Sequence, residues 1–291
     1  MGNKMERLRL LTIVFLVLMV VGWGFTGYFA VTKPQVSGQQ TKELTIAGST
    51  TVTPICEEWA RIFMEKYPNV KITVAATGSG PGIKACGTGE ADIGMSSRDV
   101  KPVEFEKYPN LKVFPIGMDG VAVIIHPTNP ITELTKEQVA KIFAGEITNW
   151  KDVGGLDQEI HVYTREEGSG TRHCFEKGFL KPFEKEIFGG ALVRPSNPEM
   201  RVAVSTNPQA IGYLSFGFLD PSVKTPKIDG VEATTENLLK GKYPAFRTLY
   251  VLTNGEPDLV ERAFIGFGLS EEGQKVVKEL GYVPLYERLG G

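Results

Sequence analysis

The tightest constraint in this chain is a junction that recurs three times, each where a strand pattern gives way to a helix pattern. Gly48-Ser49-Thr50-Thr51 follows a short strand expected at 43–47. Gly78-Ser79-Gly80-Pro81-Gly82 follows one at 70–76, and Gly168-Ser169-Gly170-Thr171 follows one at 159–164. At such a point glycine lets the backbone come close to a ligand, helix N-terminal N–H groups face outward, and hydroxyls add donors at the positive dipole end. A single instance is an ordinary cap and turn. Three in one chain predict an anion cradle. Arg165, three residues before Gly168, adds a forked cation that matches oxyanion geometry, with Glu166 and Glu167 beside it to orient it.

Strand and helix patterns alternate around these junctions. Apolar faces predict helices at 53–66, 135–144, 256–269 and 271–280, while the glycines at 82–87 predict a helix start that is cut short. Further strands are expected at 91–95, 111–116, 121–126, 211–215 and 248–252. Alternation of this kind predicts parallel sheets covered by helices.

With 32 Lys+Arg against 34 Asp+Glu in 291 residues, the chain lacks the basic excess of a general nucleic-acid binder, and none is expected as a partner. Lys4, Arg7 and Arg9 precede an uncharged stretch, residues 10–31. At about 22 residues it exceeds a signal-peptide core of roughly 7 to 15 and approaches the roughly 20 that span a bilayer. Residues 1–31 are therefore expected to be a membrane anchor, with a cleaved signal as the alternative, and the basic end places the remainder outside the cytoplasm. Residues 32–42 read as a polar tether.

Cys56, Cys86 and Cys174 allow one disulfide at most, and buried free thiols are the plainer reading. His126, His161 and His173 are scattered without ligand spacing, so no metal and no cofactor are expected. The glycines are not followed by the Lys-Ser/Thr of a phosphate-loop NTPase, and GSG stands where a nucleophile elbow needs GxSxG. An enzyme is not expected.

The strings AGSTTV (47–52), TGSGPGIK (77–84), ADIGMSSR (91–98) and REEGSGTR (165–172), with FAGEITNW (143–150) and QAIGYLSF (209–216), resemble the extracytoplasmic phosphate-binding proteins of phosphate ABC transporters. The resemblance covers about residues 43–285. It implies an α/β, two-lobed type II periplasmic-binding-protein fold, each lobe a mainly parallel sheet flanked by helices, joined by two crossing strands. Lobe 1 is expected at 43–119 plus 250–291 and lobe 2 at 120–249. The function implied is capture of inorganic phosphate between the lobes by a monomer that delivers it to an ABC permease. The phosphate-binding residues implied are Thr50, Thr51, Ser79, Ser97, Arg165, Ser169, Gly170 and Thr171, with Glu167 bracing Arg165.

One position departs from that pattern. Many members carry Ser-Asp where this chain has Ser96-Ser97-Arg98, and the missing aspartate would accept the proton that phosphate carries near neutral pH and sulfate lacks. Ser97 itself, Glu167, Asp99 and Asp119 are the candidate acceptors, and Arg98 is a candidate extra charge. Phosphate is the expected ligand. Another oxyanion (sulfate, molybdate or tungstate) and a membrane-tethered phosphate sensor are the alternatives.

Overall fold

Leu44 and Ile46 are buried between more exposed neighbours, so β1 (Lys42–Gly48) turns one face to a core, as period-two alternation requires. This computed structural model describes residues 41–289. The anchor expected at 1–31 and nearly all of the tether expected at 32–42 lie outside the described residues. Among the described residues no helix is long and apolar enough to cross a membrane.

After β1 come α1 (Thr53–Lys66), β2 (Val70–Ala76), α2 (Ser79–Thr88), β3 (Ile93–Ser96), α3 (Pro102–Lys107), β4 (Leu111–Ile125), β5 (Glu133–Leu134) and α4 (Lys136–Phe143). The chain continues through β6 (His161–Thr164), α5 (Gly170–Phe175), β7 (Leu192–Val193), α6 (Asn197–Ser205), β8 (Ala210–Ser215), β9 (Lys227–Ile228) and α7 (Thr235–Leu239). It closes with β10 (Phe246–Asn254), α8 (Leu259–Leu269), α9 (Glu271–Glu279) and α10 (Leu285–Leu289).

Eight strands share one sheet in the order β2-β1-β3-β10-β4-β8-β6-β7. β1 runs parallel to β2 and β3, and β6 parallel to β8 and β7. Between these parallel groups β10 and β4 pair with each other and with their outer neighbours in antiparallel register. One core gathers Ile46, Trp59, Phe63, Met95, Val251 and Phe264, and another gathers Ile124, Phe143, Trp150, Phe175, Leu180 and Tyr213. β4 feeds both, with Ile116 in the first and 121–125 in the second.

Two expectations need correction. The strands expected at 111–116 and 121–126 are one continuous strand, because Gly117 and Gly120 are not breaks: each leaves room for a neighbour, the Val283 carbonyl at Gly117 and the Phe216 ring at Gly120. The helix expected to be cut short by glycines runs the full length of α2. There Gly82 lies so close to Gly48 and Met95 that a Cβ would stand 2.4 Å from the Gly48 Cα, so the glycine is a packing requirement of α2 on the sheet. Cys56, Cys86 and Cys174 are buried free thiols.

Candidate anion-binding site

The three glycine-rich junctions converge. Ser49 caps the turn before α1 by accepting the N–H groups of Thr51 and Val52, which leaves Thr50 and Thr51 on the inner side. Gly78, at φ +97°, opens α2 so that Ser79 is its first residue. Ser169 caps α5 by accepting the Arg172 N–H at 3.2 Å. Ser49 satisfies two N–H groups and Ser169 one, which leaves the other helix-end donors to the interior.

Thr50, Thr51, Ser79, Ser97, Arg165, Ser169, Gly170 and Thr171 are all buried, and hydrogen bonds or close packing join seven of them. Ser79 Oγ accepts the Ser97 N–H at 3.0 Å and lies 3.2 Å from Ser97 Oγ. Thr51 Oγ1 lies 3.2 Å from Thr171 Oγ1. Gly170 packs against both serines, and a Cβ there would stand 2.4 Å from Ser97 Oγ and 2.6 Å from Ser79 Oγ. Ser169 is drawn in through its place beside Gly170, and its hydroxyl accepts the cap bond while keeping its own hydrogen.

Arg165 is 1 % exposed and is aimed by its surroundings. Tyr213 Oη accepts the Arg165 backbone N–H at 3.1 Å and lies 2.8 Å from Thr164 Oγ1. The Arg165 Nε and Nη2 donate to the two oxygens of Glu166, each at 3.0 Å, and Nη2 also reaches the Pro195 carbonyl and Thr50 Oγ1. Nη1 has no hydrogen-bond partner among the described residues. Leaving a buried charged donor unpaired costs more than the roughly 1–3 kcal/mol of a neutral one. This atom therefore marks where an anion would bind. The brace is Glu166, not Glu167. Glu167 is exposed, whereas Glu166 places both carboxylate oxygens on the Arg165 guanidinium.

Three residues enter the site from outside the signature strings: Asp119, already a candidate acceptor, and Arg247 and Asn197, which were not expected there. Arg247, from β10, donates to Ser97 Oγ at 3.2 Å, Thr171 Oγ1 at 3.0 Å and Thr51 Oγ1 at 3.0 Å. Asp119, its register partner on β4, accepts two bonds from that guanidinium, at 3.0 and 2.6 Å. Burial pushes the Asp119 carboxyl up, against the pull of Arg247 and of the Phe216 N–H. Asn197, at the start of α6, donates to Thr50 and Thr51. A charged residue bordering an apolar crossing strand was the available signal for Arg247. Asn197, in a Ser-Asn-Pro helix start, reads like any other cap.

The other candidates are engaged elsewhere. Arg98 is held by both oxygens of Glu104 at 2.7 and 2.8 Å, and Asp99 accepts the Tyr250 hydroxyl at 2.7 Å. Arg98 and Asp99, with His173 and Lys177, line a cavity of about 310 Å³ that shares Ser97 and Arg247 with the cradle. Burial lowers the His173 pKa, as do Lys181, Arg98 and Lys101.

Buried hydroxyls, an arginine nitrogen left unpaired and a second arginine clamped behind them define an oxyanion binder built on a mixed α/β sheet. A family model for the PBP superfamily domain matches residues 33–272. The phosphate-binding protein PstS of Bacillus subtilis is 33% identical over 244 residues, covering 83% of this chain and 80% of its own. PstS of Pseudomonas aeruginosa is also 33% identical, covering 83% of each chain. Among solved structures, a putative phosphate ABC transporter substrate-binding protein with bound phosphate from Clostridium perfringens superposes with a TM-score of 0.79 at 39% identity, over 84% of this chain and all of that one. The chain belongs to the PBP superfamily and, within it, to the family of the PstS phosphate-binding proteins.

Proposed function

We propose that this chain is a solute-binding protein that captures inorganic phosphate and delivers it to the permease of an ABC transporter. The observation that carries this reading is the unpaired, buried Arg165 Nη1 among the hydroxyls of Thr50, Thr51, Ser79, Ser97 and Thr171. Those residues, with Ser169 and the Gly170 N–H, are the proposed ligand set. Family membership supports phosphate over other anions.

The proposed lobes are residues 43–119 with 250–291 and residues 120–249, hinged on β4 and β10. Separate apolar cores on the two sides of the site support that division. Residues 1–31 serve, in this reading, as a membrane anchor or cleaved signal that puts a monomeric binding body on the outer side. No bond is made or broken: closure around a dry anion presents a loaded shape to the permease.

A specific feature keeps another oxyanion in view. The hydroxyls are surrounded by N–H donors, and the carboxylates nearest them, Asp119 and Glu166, are both spent on arginines. Calorimetric titration of the full-length chain in mild detergent, stripped of anion by partial unfolding and refolding, tests the reading with phosphate, sulfate, molybdate and tungstate. One-to-one phosphate binding that sulfate does not displace supports it. Tighter binding of another oxyanion replaces the ligand, and binding of none removes the function.

A further inference from the structure

Two arginines reach the site, and their hydrogen bonds assign them different tasks. An arginine has five N–H hydrogens and a hydroxyl has one hydrogen and two lone pairs. Arg165 leaves Nη1 unspent. Arg247 makes five hydrogen bonds, as many as it has hydrogens: two go to Asp119 and the others to Ser97, Thr171 and Thr51. It has no hydrogen left for a direct bond to an anion in this arrangement.

What Arg247 changes is the direction of the hydroxyls. Thr51 Oγ1 accepts from Arg247 Nη2 and from Asn197 Nδ2, each at 3.0 Å. Both its lone pairs are taken, so in its 3.2 Å contact with Thr171 Oγ1 it can act only as the donor, and Thr171, which then accepts from Thr51 and from Arg247, turns its own hydrogen outward. Asn197 is locked in that role because its Oδ1 accepts the Ser215 backbone N–H at 3.2 Å, which turns the NH₂ toward the threonines. Thr171 and Ser97 each receive one bond from Arg247 Nη1. Charge-assisted donation into an oxygen also makes its own O–H a stronger donor, since bonds in a chain polarise one another.

We propose that Arg247, clamped by Asp119, is a positioning residue that acts through Thr51, Thr171 and Ser97, turning the Thr171 and Ser97 hydroxyls into preset donors for the bound anion. The inference rests on the reading of this cluster as the phosphate site. It makes the register pair on β4 and β10 part of the binding machinery as well as a staple between strands. It also leaves Ser79, whose oxygen accepts one N–H and receives no bond from Arg247, as the hydroxyl able to take the proton of hydrogen phosphate.

The test compares four full-length chains by phosphate titration: wild type, the neutral pair Asp119→Asn with Arg247→Gln, Thr171→Val, and all three changes together. Removing both charges avoids a lone buried ion, and the urea midpoint of each variant reports folding separately. The neutral pair is expected to bind phosphate about 10- to 100-fold more weakly. Adding Thr171→Val to it is expected to cost less than Thr171→Val costs in wild type, because residues acting in one network are not additive. Wild-type affinity in the neutral pair, or losses that multiply fully, overturns the inference. If the neutral pair does not fold, Arg247→Lys, which keeps the charge against Asp119 but lacks the fork, takes its place with the same two outcomes. Wild type that prefers sulfate overturns the phosphate reading alone, and the comparison is then read with sulfate. Wild type that binds neither anion overturns both.

Discussion

Gly80 donates its backbone N–H to the Gly168 carbonyl at 3.0 Å, so two of the three glycine-rich junctions are hydrogen-bonded to each other directly across the site. The approach is close: a Cβ on Gly80 would stand 3.3 Å from the Gly168 Cα, so a side chain there would push the two junctions apart by a few tenths of an ångström. Gly170 is tighter still. Gly170→Ala would drive a methyl into Ser97 and Ser79, and overpacking of this kind costs roughly 1–3 kcal/mol. We expect phosphate affinity to fall about 10- to 100-fold with the fold retained. Titration of a normally folded Gly170→Ala chain that binds like wild type would show that the junctions are not pressed together around the ligand.

Arg165→Lys keeps a positive charge but loses the fork that both engages Glu166 and leaves Nη1 free. A hydrogen bond to a charged group is worth roughly 1.5–3 kcal/mol, so the affinity is expected to drop about 10- to 100-fold. Calorimetry reads the loss directly. An unchanged dissociation constant would mean that the anion sits away from this atom.

Ser97→Asp places a carboxylate beside Ser79 and the Arg247 Nη1. Hydrogen phosphate can donate its proton to that group, whereas sulfate meets it acceptor to acceptor. The phosphate-to-sulfate affinity ratio should therefore rise by about tenfold or more. An unchanged ratio refutes the role assigned to position 97.

Glu104 gives a pH signature away from the ligand. Burial works to raise its carboxyl, but the Arg98 fork and the Lys101 N–H outweigh it and hold the pKa below the ordinary value. A lowered folded value stabilises the protein above the unfolded value of roughly 4.3, and that contribution is lost as the pH falls through the folded value. Between about pH 6 and pH 3 the urea midpoint of wild type should fall more steeply than that of Glu104→Gln. Parallel curves would show that the ion pair adds no stability.

Burial pushes the Cys174 thiol up to about 12 and the Cys86 thiol up to about 11, and it raises Cys56 as well. Thiolate is the reactive form, so a disulfide-exchange reagent at about pH 8 should label none of the three in the native chain and all three in denaturant. Rapid labelling of one cysteine under native conditions would reveal local opening around it.

The alternation of strands and helices was legible because each element carries its own periodicity: β1, α1, β2, β8, α8 and α9 lie close to where the residue pattern puts them. Continuity of β4 was not legible. Gly117 and Gly120 look like turn residues until Val283 and Phe216 are seen occupying the space they leave. The same holds for α2, where Gly82 is dictated by contact with Gly48 and Met95 and Gly87 by contact with the Tyr108 ring.

Residue pattern alone decided that this chain presents three glycine-opened, hydroxyl-bearing junctions with an arginine beside one of them, because caps, turns and dipoles are local physics read over a few positions. Tertiary structure decided which carboxylate braces Arg165, and that Asp119 and Arg247, separated by 128 positions, stand opposite each other behind the hydroxyls. Strand register between distant segments is set by the whole sheet and by the cores on either side of it. No short stretch of sequence contains that information.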